Sequence, residues 1–265
     1  MKQYIIDAFT DKPFHGNPAA VLIMDRWLAD KTMQAIAAEN NLAETAFVVK
    51  EDGRYRIRWF TPMMEEELCG HATLAASFVL LTFFEPDADE VRYTSISGEL
   101  SVKRRGDLFE LNFPTYELLE IPVTDEMERA YGARPEKAIL GLDLNCVFEN
   151  EAVVRGLNPD YTLLKTLPGR IWNATARGKE YDCVSRSFTP EVTVPEDPVC
   201  GSAHCQIADY WAGVLGKPVI RAYQASARGG ALECEPLGNG RIALRGKAVL
   251  FAVSEIAAPL SERTE

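Results

Sequence analysis

Two cysteine-containing turns hold the residue types that chemistry would need. Cys69-Gly70-His71-Ala72 follows Phe60-Thr61-Pro62, and Cys200-Gly201-Ser202-Ala203-His204 follows Phe188-Thr189-Pro190. Each stretch passes acidic residues on the way: Glu65, Glu66 and Glu67 in the first, Glu191, Glu196 and Asp197 in the second. Nine positions separate Phe60 from Cys69 and twelve separate Phe188 from Cys200, so the pair reads as one motif written twice. A Gly-polar-Ala turn that opens a helix leaves backbone N–H groups pointing outward, where they and the helix dipole attract anions. At Gly70-His71 and again at Gly201-Ser202, such turns suit a small substrate that bears a carboxylate. Glycine's backbone freedom alone would explain one of them; the duplication argues for a shared purpose.

Other groups near these turns extend the chemistry. Glu44 stands in Asn41-Leu42-Ala43-Glu44-Thr45-Ala46-Phe47, among small and apolar neighbours. A partly buried carboxylate there would have a raised pKa suited to proton abstraction, whereas an exposed one would be an ordinary solvated helix-end glutamate. His15, His71 and His204 all lie close to the motifs. A helix N-terminus should lower the proton affinity of His71 and keep it a neutral donor or acceptor. Cys69 and Cys200 hold equivalent places. They are either two small buried hydrophobes or the two bases of a cofactor-free racemase. No zinc-ligand spacing links the histidines and cysteines, so no metal is expected. Walker, G-x-G-x-x-G and G-x-S-x-G motifs are missing, which leaves hydride and phosphoryl transfer without visible apparatus.

Composition bounds the rest. The 265 residues are 47% hydrophobic and 25% charged, as in an ordinary globular protein, and carry a formal net charge of −11. That charge disfavours nucleic acid and anionic membrane surfaces as partners. Six scattered cysteines without a C-x-x-C pair resemble a reduced inventory. Met1-Lys2-Gln3-Tyr4 leads into a strand-like run rather than a signal peptide, and the apolar run from Ala72 to Phe84 is too short to cross a bilayer. A cytoplasmic location is expected.

The elements that must position these groups follow from periodicity and turn signals. Strands are expected over 4–9 and 19–24, then an amphipathic helix over 25–40 with Leu28, Met33, Ile36 and Ala37 on one side. Residues 45–49 and 55–60 form a hairpin across Asp52-Gly53, and an apolar helix follows the first motif. Short strands fill 91–113. Prolines 114, 122 and 135 mark a boundary region that holds a short helix at 124–132. The order then repeats: strands at 138–149 and 151–156, a short helix at 160–167, a hairpin of 171–176 with 181–188, a helix at 204–215, and strands to the end. The expected fold is α+β, with halves at 1–116 and 117–265. Each half is a bent, mostly antiparallel sheet around a central helix, with the site between them, and the last strands are able to pack back on the first half.

Asp7-Ala8-Phe9, Phe14-His15-Gly16-Asn17-Pro18-Ala19-Ala20-Val21, Leu42-Ala43-Glu44-Thr45-Ala46-Phe47, Arg58-Trp59-Phe60-Thr61-Pro62 and Cys69-Gly70-His71-Ala72-Thr73-Leu74-Ala75 line up with a known pattern. Glu196-Asp197-Pro198-Val199-Cys200-Gly201-Ser202-Ala203-His204 and Gln224-Ala225-Ser226-Ala227-Arg228-Gly229-Gly230 continue it. Together, in order and from end to end, they resemble the phenazine-biosynthesis PhzF family. The resemblance implies a diaminopimelate epimerase-like fold, usually homodimeric. It implies an isomerase without a cofactor, of the kind that converts trans-2,3-dihydro-3-hydroxyanthranilate. By position Glu44 is the acid/base. His71, Asp197 and Ser202 match polar residues around the substrate, and the Gly70-His71 and Gly201-Ser202 amides match the carboxylate-binding turns. Ala43 stands where the family often has Ser, and Cys200 where it often has Thr. With Cys69, Cys200 restores the cysteine pair of racemase and epimerase relatives, which lack a glutamate in the Glu44 context. Three readings stay open: a Glu44 isomerase assisted by Asp197 and His71, a two-thiol racemase, and a non-catalytic binder of small carboxylates.

Overall fold

The computed structural model describes residues 1–190 and 194–257. Glu191, one of the acidic residues noted in the second motif, lies outside them. In chain order the first stretch runs β1 (Lys2–Ala8), β2 (Asn17–Met24), α1 (Asp30–Asn40), β3 (Glu44–Glu51), β4 (Arg54–Phe60), β5 (Glu65–Glu66) and α2 (Gly70–Val79). The helix widens into a π-helical turn over Leu80–Phe84, and β6 (Glu90–Ser95), β7 (Gly98–Arg105) and β8 (Leu108–Pro114) follow. The second stretch is β9 (Leu119–Ile121), α3 (Asp125–Tyr131), β10 (Lys137–Leu140), β11 (Leu144–Val147), α4 (Glu151–Gly156), α5 (Tyr161–Leu164) and β12 (Trp172–Arg177). It continues with β13 (Cys183–Phe188), β14 (Glu196–Asp197), α6 (Gly201–Leu215), β15 (Ile220–Gln224), β16 (Gly230–Gly238) and β17 (Arg241–Gly246), and β18 (Ala248–Glu255) is the last element among the described residues.

Two compact units result: Met1–Asn112 joined by the chain from Arg245, and Phe113–Leu244. The change of unit thus falls at 112/113, ahead of the proline-marked stretch, and the terminal strand β18 lies beside β1 in the first unit. Within each unit the pairing is the same, strand for strand. In the first, β1 and β2 are antiparallel, β2 and β3 parallel, β3 and β4 antiparallel, β4 and β6 parallel, and β6 and β7 antiparallel. The second repeats this as β10 and β11, β11 and β12, β12 and β13, β13 and β15, and β15 and β16. The flanking strand is β18 on β1 in one unit and β9 on β10 in the other.

Each unit is centred on one helix. Residues His71 to Ser77 of α2 are buried on every side, as a helix without a polar face must be. Helix α6 buries Ala203 to Ala208 and Trp211 in the second unit. The first unit packs Leu22, Phe47 and Phe60 into one core; the second packs Tyr131, Phe148, Trp172 and Phe188. The expected side of α1 is indeed the buried one, with Met33, Ile36 and Ala37 inside and Leu28 just ahead. Asn41 ends that helix in the left-handed region at φ 50°.

Helix α1 begins at Asp30 rather than at 25, helix α5 spans only Tyr161–Leu164, and two further expected elements change type or divide. Residues 151–156 form helix α4 rather than a strand, because Asn150 accepts from the Ala152 and Val153 N–H groups and caps a helical turn. That cap outweighs the β-propensity of Val153 and Val154. The single strand expected over 138–149 is a hairpin, β10 and β11, turning at Gly141–Asp143. Among the described residues no helix is long and apolar enough to cross a membrane.

Candidate active site: two equivalent half-sites

The repeated motif folds twice into the same clamp. In the first unit Arg58 Nε and Nη2 donate to the two oxygens of Glu65, both at 2.6 Å. In the second, Arg186 Nε and Nη2 donate to Glu196 at 2.8 and 2.7 Å. Each guanidinium also lies over the aromatic ring of its own motif, 5.1 Å from Phe60 or 5.0 Å from Phe188. The threonines close the loops: Thr61 N–H donates to Met64 O and Thr189 N–H to Pro195 O, both at 2.8 Å. Hence the Phe-Thr-Pro segment and the arginine-bound glutamate, Glu65 or Glu196, are scaffold, and they set down the two cysteine-glycine turns in matching positions. Arg186 also donates to the Leu157 carbonyl at 2.6 Å, and both members of its ion pair are mostly buried. Arg186→Ala should therefore cost about 3 kcal/mol in urea unfolding, since it leaves a half-buried carboxylate uncompensated. A loss below a few tenths would refute the scaffold role.

In the first unit, Cys69 is the residue ahead of α2, and Gly70 and His71 are its first two residues. No side chain caps that end. Glu44 is the first residue of β3, where β2 runs parallel beside it with Ala19 in register. The fold brings these distant residues together: His71 Nε2 lies 3.2 Å from Glu44 Oε2. Both side chains are mostly buried, at 6% and 16% exposure. The contact is close but not aligned as a hydrogen bond. On the other edge of the ring, Asn17 Nδ2 donates to His71 Nδ1 at 3.2 Å, and Cys69 Sγ is 3.5 Å from the same nitrogen. An acceptor role for Nδ1 puts the ring proton on Nε2, facing Glu44. Burial pulls the His71 pKa down to about 3, so the ring is neutral at neutral pH. The helix dipole acts in the same direction, but the apolar surroundings are the main cause.

Asn17 reaches this place through Gly16. The backbone there has φ +65°, and a Cβ would fall 2.1 Å from the Ala8 carbonyl oxygen, so only glycine fits. Sequence reasoning left Asn17 out of the site, although it stands in the quoted Gly-Asn-Pro stretch. Polar residues in tight turns are too common to single one out without the fold.

The second unit places Cys200 ahead of α6, with Gly201 and Ser202 opening it and again no side-chain cap. Asp197 belongs to β14 and is half-buried. Its Oδ1 accepts the Val199 N–H at 3.0 Å. Burial raises the Asp197 pKa to about 6, well above the ordinary 3.8. Cys200 Sγ is 3.4 Å from Ser202 Oγ, in the way Cys69 contacts His71. Burial first, and then the neighbouring Asp197, push the Cys200 thiol well above its usual range. Gln224 fixes this turn from β15: its Oε1 accepts the Cys200 N–H at 2.8 Å and its Nε2 donates to the Asp197 carbonyl at 2.5 Å. Ser226 Oγ donates to the Pro198 carbonyl at 2.6 Å. The Gln-Ala-Ser stretch thus shapes the turn, a role that its sequence did not reveal.

Not every candidate gathers at the turns. His15 is exposed beside Pro13 O. His204 is fully buried within α6, bridging the Cys200 carbonyl at 2.7 Å and Ser185 Oγ at 3.2 Å. The half-sites also differ chemically. Thr45 pairs with Phe60 as Trp172 pairs with Phe188, so Glu44 corresponds to Ile171 and the carboxylate occurs in one unit only. The first half-site offers a carboxylate against a neutral imidazole. The second offers an acid with a raised pKa. Each has an uncapped helix start.

Comparison with known proteins accords with this arrangement. The family described as "phenazine biosynthesis-like protein" matches residues 6–254. An uncharacterized isomerase of Pseudomonas aeruginosa is 47% identical over 246 residues, covering 93% of this chain and 95% of the relative. Another uncharacterized isomerase, from Halalkalibacterium halodurans, is 38% identical over 96% of this chain and 97% of its own length. Among solved structures, a PhzF-family protein of Enterococcus faecalis is similar with a TM-score of 0.94 and 44% identity, over 97% of this chain and 99% of that one. The α+β architecture of two similar units is therefore the diaminopimelate epimerase-like fold. Because the matched residues take in Glu44, both cysteine-glycine turns and every scaffold element that sets them, the chain belongs to the phenazine biosynthesis-like family.

Proposed function

We propose that the chain is an isomerase that moves a proton on a small carboxylate substrate and needs no cofactor for it. The observation that carries this reading is Glu44, mostly buried and held 3.2 Å from a neutral His71 at the start of α2. In the ionised form Glu44 takes a proton from a carbon made acidic by an adjacent π-system, then returns it at another carbon of that system. Neutral His71 presents N–H density to the region where charge develops. Asp197, protonated for part of the time near neutral pH, is the matching acid. The N–H groups of Gly70-His71 and Gly201-Ser202 hold the substrate carboxylate. The duplication of the turns supports a shared anion-binding role for them. The relatives' name of isomerase supports the reaction class. Trans-2,3-dihydro-3-hydroxyanthranilate is the model substrate.

The two-thiol racemase remains the second reading because Cys69 and Cys200 occupy equivalent helix-start positions. Burial of Cys200 beside Asp197 opposes the thiolate that this mechanism needs. Incubation in D₂O with dihydrohydroxyanthranilate, proline, hydroxyproline and diaminopimelate, followed by NMR, separates the readings. A shifted double bond in the cyclic acid, with deuterium at a ring carbon, is the expected result. Deuterium at an amino-acid α-carbon would instead establish the racemase, and binding with neither exchange nor a shifted double bond would support a non-catalytic binding protein.

A further inference from the structure

The sequence spacing of Glu44, Cys69 and His71 is no zinc motif, yet the fold gathers one ligating atom from each within 4.8 Å of the others. We propose that these three side chains form a binding site for a soft divalent cation, Zn²⁺ fitting best. In a four-coordinate zinc site, bonds of about 2.3 Å to sulfur and about 2.0–2.2 Å to nitrogen and oxygen put neighbouring ligand atoms roughly 3.4–3.6 Å apart. Here Cys69 Sγ is 3.5 Å from His71 Nδ1, and Glu44 Oε2 is 3.2 Å from His71 Nε2. The ring offers a different nitrogen to each neighbour, so one ion takes Nε2 after Cys69 swings toward it, or Nδ1 after Glu44 does. Nε2 is the better choice, because Asn17 then holds the free nitrogen. With the ion on Nε2 the proton sits on Nδ1, and the Asn17 carboxamide turns its oxygen to accept it. That is the usual outer support of a metal-bound histidine. Thiol, imidazole and carboxylate together suit Zn²⁺ or Co²⁺, and they do not suit Mg²⁺ or Ca²⁺, which need more oxygen ligands. On binding, a sulfur–metal bond forms, the thiol proton passes to solvent, and no electron is transferred.

Three protein ligands leave the fourth position of a tetrahedral ion to a water or substrate oxygen, and an ion held by them occupies Glu44. Zn²⁺ is therefore a reversible blocker of whatever Glu44 does. The site stands on the geometry of the first unit and does not need the isomerase reading.

The test uses the intact protein. Competition with a chromogenic chelator should show one Zn²⁺ per chain, unaffected by excess Mg²⁺. Co²⁺ in its place should give the near-ultraviolet charge-transfer band of a thiolate ligand. Asn17→Ala should weaken Zn²⁺ by about 10–100-fold, the range for loss of an outer partner. Cys69→Ser, checked for folding by circular dichroism, should weaken it by at least about 100-fold and abolish the Co²⁺ band. A wild-type Co²⁺ complex without that band overturns the proposal, whatever the variants do. So does unchanged Zn²⁺ binding in a folded Cys69→Ser protein, which would place the ion at surface carboxylates.

Discussion

Glu44→Gln should lower kcat by about 10²–10⁴-fold on the isomerised substrate, the range supplied by one positioned acid/base group. Glutamine keeps the size of the side chain and an oxygen near His71 but cannot accept a carbon-bound proton. Substrate affinity should therefore stay within a few-fold of wild type, because the proposed function gives the carboxylate to backbone N–H groups rather than to residue 44. The effect belongs in kcat, not in KM. Steady-state kinetics together with calorimetric binding would show it. A variant retaining more than a tenth of the wild-type rate would remove Glu44 from the mechanism.

Asp197→Asn should separate stability from activity. The folded pKa of Asp197, about 6, exceeds its ordinary 3.8. The folded protein thus binds this proton more tightly than the unfolded chain does. Above pH 6 the ionised carboxylate costs folding free energy. The cost fades as pH falls through 6 and is gone below about 3.8. Two pKa units correspond to roughly 3 kcal/mol, an upper bound for a half-buried group. Asparagine has no charge to bury and its Oδ1 still accepts the Val199 N–H. The variant should then be more stable than wild type at pH 8, by up to about 3 kcal/mol, and no more stable at pH 4, while losing turnover. Urea unfolding at the two pH values is the measurement. A difference independent of pH would mean that the Asp197 carboxyl is not held in the strained ionised form.

Much of this was legible in the residues. The twofold motif announced two like units, and Asp52-Gly53, Asn40-Asn41 and the apolar run after Cys69 fixed elements that form as read. Local signals misled where short-range chemistry competes with propensity. Asn150 turned a valine-rich stretch into a helix, and Gly141 to Asp143 broke one apparent strand into two. The return of β18 to β1 joins the two ends of the chain, and no local pattern specifies a partner so far away. Among site residues, Glu44 was visible by its apolar setting. Asn17 and Gln224 were not, because what they do depends on neighbours supplied by other elements. The acidic residues of the motifs divide in a way that counting did not reveal. Glu65 and Glu196 are neutralised by arginines, which leaves Asp197 as a carboxyl with an altered proton affinity.

The correspondence of Glu44 with Ile171 bears on the bookkeeping of hydrogen isotopes. A symmetrical pair of bases must take one hydrogen and deliver another, so every turnover imports a solvent atom. A lone carboxylate holds the very atom it removed and delivers it again unless water intervenes first. Substrate deuterated at the migrating position should then surrender part of its label to its own product even in ordinary water. The retained fraction reports how long Glu44 keeps the atom before exchange.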